Sequence, residues 1–330
     1  MGERTVRIRG FRLTLEVPDR VAGAARRVLG RAAPQAGPAA RLSGGLEVRS
    51  PPPVTIVARD PDAGLSFVRD RLAWRKEHHR DAPPGEVEDG PDALARLVAG
   101  RPWYHTIELP HGLVTPGVYD HRALVPRYGI PVDLRGRRAL DLASADGFWA
   151  FELERRGASV TALDIESTAD VDLPGPVRRW AAEHGLVDRL PDGFALAKRA
   201  LGSEVDHVTG TIYDLDPDRL GRFDLVHAGD VLLHLRDPLA ALEQIRRVTK
   251  GQALLSDVFE PTLGAPGAEG GLPALYFGGG NAAWWRPALP TLVQMVADAG
   301  FSEVEVVTTY SLAPRGQATG PWRAVLRATP

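Results

Sequence analysis

The chain has 330 residues, 40 Lys plus Arg against 42 Asp plus Glu, and a formal net charge of -2. That balance, without a Lys-rich run or basic tail, makes nucleic acid an unlikely partner, because phosphates are met by clustered cations. There is no cysteine, which excludes disulfides, thiolate catalysis and Cys-based zinc sites; no apolar run is long enough to cross a membrane and no leader-like stretch follows Met1, so the expectation is a soluble cytoplasmic protein with no membrane association.

The length fits two domains, or one α/β core with appendages. Alternation of Val6 and Ile8, then Phe11, Leu13, Leu15 and Val17, predicts two short strands around Gly10. A Gly/Pro/Ala stretch follows, then extended pieces at Leu46–Val48 and Val54–Val57. Helical spacing of Leu65, Val68 and Leu72 predicts a helix from Pro61 to about His79, and Asp92–Ala99 reads as a short helix. Residues 1–100 are thus an accessory α+β region, with a lid and a dimer contact both open as its role, and residues 101–330 form the main domain.

After residue 135 strands and helices alternate, the signature of a parallel sheet. Strands are expected at Arg138–Ala143, Ser159–Asp164, Val205–Gly210, Phe223–Ala228 and Gln252–Asp257. Helices are expected near Phe148–Arg156, Val177–His184, Phe194–Leu201, Pro238–Val248 and Leu289–Ala299, with closing strands at Val304–Thr308 and Trp322–Arg327.

In such sheets a ligand lies beyond the carboxyl ends of the strands. The first of these loops, Asp141-Leu142-Ala143-Ser144-Ala145-Asp146-Gly147, is built of small residues and opens directly into a helix. Its acidic character repels a diphosphate and lacks the glycine fingerprint of a dinucleotide site. It suits a cationic ligand such as S-adenosylmethionine, which carries a sulfonium and an ammonium. Asp141, Ala143, Ser144, Asp146 and Gly147 are the candidate contacts. Asp164, with Ile165 beside it, ends the second strand where an acid takes ribose hydroxyls. Ile212, Tyr213 and Asp214 follow the third strand, where Asp214 can accept from an adenine amino group and Ile212 can pack on the ring. Gly229 closes the fourth strand. Each acid alone reads equally well as a solvated loop residue; three at consecutive strand ends do not.

The segment Trp103-Tyr104-His105-Thr106-Ile107-Glu108-Leu109 with Thr115-Pro116-Gly117, the loop at 141–148, and Asp230-Val231-Leu232-Leu233-His234-Leu235-Arg236-Asp237-Pro238-Leu239 resemble the family of tRNA wobble-uridine (carboxy)methyltransferases and related small-molecule methyltransferases. The resemblance covers roughly residues 100–325. It implies a class I methyltransferase (Rossmann-like) seven-stranded sheet, with the last strand antiparallel beside the fifth, and S-adenosylmethionine as cofactor. Members using the carboxylated cofactor have a Tyr where Leu233 stands and a C-terminal Arg, a position assigned here to Ala318. Those departures point to ordinary S-adenosylmethionine and a small-molecule acceptor, with O- or N-methylation in natural-product biosynthesis as the leading function and tRNA wobble-uridine modification as the alternative.

The candidate catalytic residues are His234, placed just past the fourth strand by the resemblance, and His105, His111 and Asp230; each His reads equally as a structural residue. Trp103, Tyr104, Tyr276, Trp284 and Trp285 are candidate substrate contacts, the last three on an insertion hinged by Gly278–Gly280, with ordinary packing expected for at least one Trp. No close-spaced ligand motif calls for a metal.

Overall fold

The computed structural model describes residues 90–185, 193–264, 270–280 and 283–330, together with strand backbone at 2–8, 11–17, 40–41 and 47–48. The chain divides into two compact units, Met1–Ala58 and Arg59–Pro330. In the first, β1 (Gly2–Ile8) and β2 (Phe11–Val17) form the expected antiparallel hairpin, with Ile8 opposite Phe11 at its closed end. The short strands β3 (Ala40–Arg41) and β4 (Glu47–Val48) pair antiparallel. The extended piece expected at Val54–Val57 and the helix expected from Pro61 to His79 lie outside the described residues.

The second unit begins, among the described residues, with α1 (Pro91–Ala99), whose Val98 enters the same apolar cluster as the main sheet. Then follow β5 (Arg138–Leu142), α2 (Phe148–Arg155), β6 (Ser159–Asp164), α3 (Gly175–Glu183), α4 (Gly193–Leu201), β7 (Asp206–Thr209), α5 (Pro217–Leu220) and β8 (Phe223–Gly229). The chain ends with α6 (Pro238–Val248), β9 (Thr249–Val258), β10 (Ala274–Gly280), β11 (Ala283–Pro287), α7 (Leu289–Asp298), β12 (Glu303–Ser311) and β13 (Trp322–Thr329). The sheet order is β12-β13-β9-β8-β5-β6-β7, parallel from β9 through β7. β13 is inserted antiparallel between β9 and β12.

Helices cover both faces, and the two-residue period of a strand assigns each residue to one of them. Leu140, Leu142, Val226, Ala228, Ala253 and Leu255 join α6 and α7 in one cluster. Ala139, Leu225, Leu254 and Val325 pack with α1, α2 and α4 in the other. By the same alternation Asp141, His227, Ser256 and Arg323 lie on that second face, as a row of polar residues inside an apolar sheet.

Two expectations are corrected. β9 starts at Thr249, because α6 runs straight into it and the Thr249 hydroxyl caps the Ile245 carbonyl at 2.7 Å. The aromatic insertion is a β-hairpin, β10–β11, in place of a hinged loop. Gly278 and Gly279, at φ 61° and 80°, make an irregularity within β10, a conformation that side-chain-bearing residues resist.

Residues 103–121 form a cover over the carboxyl ends of the strands. Thr115 is fully buried; its hydroxyl donates to the His105 carbonyl and accepts from the Ile107 N–H, both at 2.7 Å. Gly117 lies against the His105 backbone so closely that an added Cβ would stand 2.1 Å from the His105 carbonyl carbon. Gly117→Ala is therefore expected to lower the unfolding free energy by about 2 kcal/mol or more, the scale of overpacking against backbone that cannot yield. Urea denaturation of the two proteins measures it.

Candidate active site

The loop from β5 to α2 has a backbone that asks for glycine and receives it once. Ala143, Ala145 and Gly147 have φ of 54°, 48° and 89°. The left-handed region costs a residue with a Cβ about 1–2 kcal/mol, so two alanines there mark a turn fixed by its surroundings. Asp164 supplies part of that fixing. Its Oδ2 accepts from the Ala145 N–H at 2.7 Å and its Oδ1 from the Ile165 N–H at 2.8 Å. At Gly147 a Cβ would meet Phe151 at 2.6 Å, so the helix starts with no room for a side chain.

Asp141 is 1% exposed and its Oδ1 meets Nδ1 of His227 at 2.6 Å, while its Oδ2 has no hydrogen-bond partner among the described residues. The hydroxyl of Ser144, also buried, lacks a hydrogen-bond partner. Such groups are costly unless a ligand answers them. Asp146 turns the other way: its Oδ2 accepts from the backbone N–H groups of Tyr104 and His105 and so ties the cover segment to the loop. That oxygen holds protein backbone.

Asp214, exposed after β7, accepts from the Thr211 hydroxyl at 3.0 Å, and Ile212 is buried in the core. Tyr213 is a tie between loops: its hydroxyl donates to Asp172 Oδ2 at 2.8 Å and accepts from the Asp237 N–H at 3.1 Å. Asp172 Oδ2 also receives the Arg236 N–H at 2.7 Å. Sequence reasoning missed Asp172.

A small cleft beside the ends of β8 and β9 is lined by Tyr104, His105, His121, Tyr128, Trp149, Gly229, Asp230, Ser256 and Tyr310. Of the four proposed catalytic residues it gathers His105 and Asp230. His111 stands exposed on a turn at φ 63°, and His234 sits half-buried on the short turn after β8, outside the cleft lining. Asp230, itself at φ 52°, is gripped by the Arg323 guanidinium, whose Nε stands 2.8 and 2.7 Å from its two oxygens. Arg323 is buried and its charge lies over the Tyr119 ring at 4.9 Å. A C-terminal arginine therefore does reach the site: Ala318 is exposed in the loop before β13, and the cation comes from Arg323, five residues on.

Burial holds the His105 imidazole well below the usual histidine range, with His121 and His227 adding to the effect. Burial also lowers His121 to about 4, against the opposing pull of Asp230. Neither Nδ1 has a hydrogen-bond partner. On the opposite sheet face, burial and then the Asp230 charge push the Asp257 carboxyl up to about 7, although it accepts the N–H groups of Val258 and Leu232, both at 2.7 Å.

The aromatic candidates separate. Tyr104 lines the cleft, its hydroxyl 3.5 Å from Asp230. Trp103 is packed in the core, 3% exposed, with its indole N–H on the Val98 carbonyl at 2.9 Å. Trp284 is buried with its N–H on the Asp172 carbonyl at 2.5 Å, and half-buried Trp285 donates to the Arg236 carbonyl at 3.1 Å. Tyr276 is 60% exposed and packs on Trp285 with ring centroids 4.8 Å apart.

A doubly wound sheet with an antiparallel strand inserted next to the outermost one, and a short acidic loop leading from the central strand into a helix, is the architecture of a class I methyltransferase. A profile described as "Methyltransferase domain" matches residues 119–306, more than half of the chain, and the chain belongs to this family. It is similar to the ubiquinone biosynthesis O-methyltransferase of Xanthomonas oryzae pv. oryzae, 29% identical over 127 residues, which are 38% of this chain and 44% of that protein. The protein of the same name in Azotobacter vinelandii is 28% identical over 129 residues, 38% of this chain and 47% of that one. The chain thus spans under half the length of these curated relatives. Among solved structures, the N-terminal domain of EvdMO1 with SAH bound is 20% identical and covers 74% of this chain and 99% of its own, with a TM-score of 0.48. The Burkholderia thailandensis 1,6-didemethyltoxoflavin-N1-methyltransferase is 16% identical, covers 88% and 97%, and has a TM-score of 0.42.

The buried neutral imidazole sets a pH dependence. His121 is neutral in the fold down to about pH 4, whereas in the unfolded chain it protonates near the ordinary value of about 6.5. Its folded value is depressed, so its contribution is complete above about pH 6.5 and is lost as the pH falls through 6.5 towards 4, by roughly 3 kcal/mol at most. His121→Gln should flatten the fall in stability over that window, measured by denaturant unfolding at a series of pH values.

Proposed function

We propose that the chain is an S-adenosylmethionine-dependent methyltransferase that acts on a small-molecule acceptor at oxygen or nitrogen, in natural-product biosynthesis. The observation that carries this reading is the Asp141 carboxylate: buried at the end of the central strand, one oxygen committed to His227 and the other without a partner. An ammonium group is the donor that such an oxygen calls for. The cofactor fits the chain's residues further along the strand ends. Asp141 and Ser144 would hold its amino-acid end, the close-packed backbone of 143–147 would admit its chain, Asp164 would take ribose hydroxyls, and Asp214 with Ile212 would meet the adenine. When bound, it supplies a methyl group on a positively charged sulfur.

The chain's part is then to bind, to orient and to manage a proton. Asp141, Asp164 and Asp214 make a negative field that favours the sulfonium. Tyr104, His105, His121 and Asp230 border the cleft next to it. Arg323 is answered by Asp230 at 2.7 Å, and Leu233 offers no polar group at its turn, which together support the ordinary cofactor over a carboxylated one. The small cleft and the absence of a basic run support a small acceptor. Residues 1–100 as a lid or dimer contact, a homodimer and a cytoplasmic setting complete the proposal; no helix among the described residues is long and apolar enough to cross a membrane.

Titration calorimetry with S-adenosylhomocysteine tests the reading. Wild type should bind it and should not bind NAD. Asp164→Ala should weaken binding about tenfold or more, since a charged acceptor to two hydroxyls contributes roughly 1.5–3 kcal/mol. Asp141→Asn should weaken it similarly by removing the partner of the ammonium. Tight NAD binding, or equal affinity in all three proteins, would overturn the assignment.

A further inference from the structure

Asp141 is held from behind by two side chains in succession. Its Oδ1 meets His227 Nδ1 at 2.6 Å, and His227 Nε2 meets the Tyr128 hydroxyl at 2.8 Å. All three residues are 1% exposed or less. Packing confines the imidazole further. Trp149 lies against it with ring centroids 5.0 Å apart. Gly229, two residues further along β8, leaves room that a side chain would take: an added Cβ would stand 3.1 Å from His227 Cε1 and 3.4 Å from its Nε2.

The direction of the two hydrogen bonds follows from counting hydrogens. A carboxylate has none to give, so His227 donates from Nδ1 to Asp141. Nε2 of the neutral ring is then an acceptor, and the Tyr128 hydroxyl donates to it. The three groups together carry one negative charge, and it resides on Asp141. Asp141 Oδ2 and the Ser144 hydroxyl have no hydrogen-bond partner among the described residues. A purely structural tie would not leave them so. The backbones of β5 and β8 already pair at these two residues, and a buried ionisable pair adds little stability that apolar residues of similar size would not supply. What His227 does supply is orientation: with Oδ1 held, the carboxylate cannot rotate and the direction of Oδ2 is set.

On the methyltransferase reading above, we infer that His227, held in turn by Tyr128, is a positioning residue that orients Asp141 Oδ2 for the ammonium group of the cofactor. Asp141 makes the contact, and His227 and Tyr128 act through it. Their effect is specificity. A carboxylate whose direction is set before the ligand arrives meets an ammonium without reorganising, whereas one free to turn loses part of that contact to ordering. The neutral ring matters as much as the bond, because an imidazolium in this place would cancel the charge of Asp141. The hydroxyl of Tyr128 answers the Nε2 lone pair and so favours the neutral form with its hydrogen on Nδ1. Tyr128 also forms part of the cleft wall, so one side chain serves both halves of the site.

The test compares S-adenosylhomocysteine with its deaminated analogue, in which hydrogen replaces the α-amino group, by titration calorimetry on the full chain. Wild type should prefer the amino compound about tenfold or more, the scale of one charge-assisted hydrogen bond. His227→Leu should cut the preference below about threefold, while binding the deaminated compound within about twofold of wild type. Tyr128→Phe, which keeps the ring against Trp149 and removes only the hydroxyl, should lower the preference about threefold. His227→Asn, whose amide can still donate to Asp141, should keep it above about fivefold. Equal weakening of both ligands in the variants, or a preference untouched by His227→Leu and Tyr128→Phe, overturns the inference; Tyr128→Phe decides it alone where His227→Leu does not fold. Nitrogen-15 spectra at neutral pH should show His227 as the neutral Nδ1–H tautomer, and an Nε2–H tautomer or an imidazolium overturns it too. Failure of the wild type to bind S-adenosylhomocysteine removes the methyltransferase reading and this inference with it; equal binding of the two compounds to wild type removes the inference alone.

Discussion

The contact between Asp141 and His227 joins the two central strands of the sheet through side chains as well as backbone. The residues are register partners on β5 and β8, and both are 1% exposed. An ionisable pair in such a place is tolerated only where its remaining valences are met. Tyr128 meets His227 from above, and Trp149 packs on both Tyr128 and His227, with ring centroids 4.0 and 5.0 Å away. The start of α2, the turn bearing Tyr128 and the ends of β5, β8 and β9 are thus placed around one carboxylate. Its second oxygen has no hydrogen-bond partner among the described residues.

The cover segment depends on the same loop by a different route. Asp146 takes two successive backbone N–H groups, and Thr115 with Gly117 stitches the segment to itself, so the cover is held by backbone geometry and leaves its side chains to the cleft. This explains why Tyr104 and His105 face the cleft while Trp103, one residue earlier, is spent on the core.

Much of this was legible in the chain. The alternation of short apolar strands and helices defined the sheet, and Asp141, Asp164 and Asp214 were marked by their places at strand ends. What escaped was set by register. Ser256 and Asp257 read as the tail of an apolar strand; only the pairing with β8 and β13 shows that they face opposite ways. His227 carried a readable signal, a histidine in an otherwise apolar strand, whereas Tyr128 and Tyr310 come from elements whose approach no local pattern encodes. Arg323 lies five residues beyond Ala318 because no local pattern encodes the length of the loop before β13, and the side of the segment that Trp103 takes is decided by α1.

The two adjacent indoles of β11 point to opposite sides of their strand, and each N–H holds the carbonyl of a different loop, Asp172 after β6 and Arg236 after β8. The hairpin therefore works as a buckle between the loop after β6 and the loop after β8. Its own ladder can vary in sequence and length without disturbing either loop, provided the two indoles keep their positions. The outer part of β10, where Tyr276 is exposed, is free to change while the strand-end acids stay where they are.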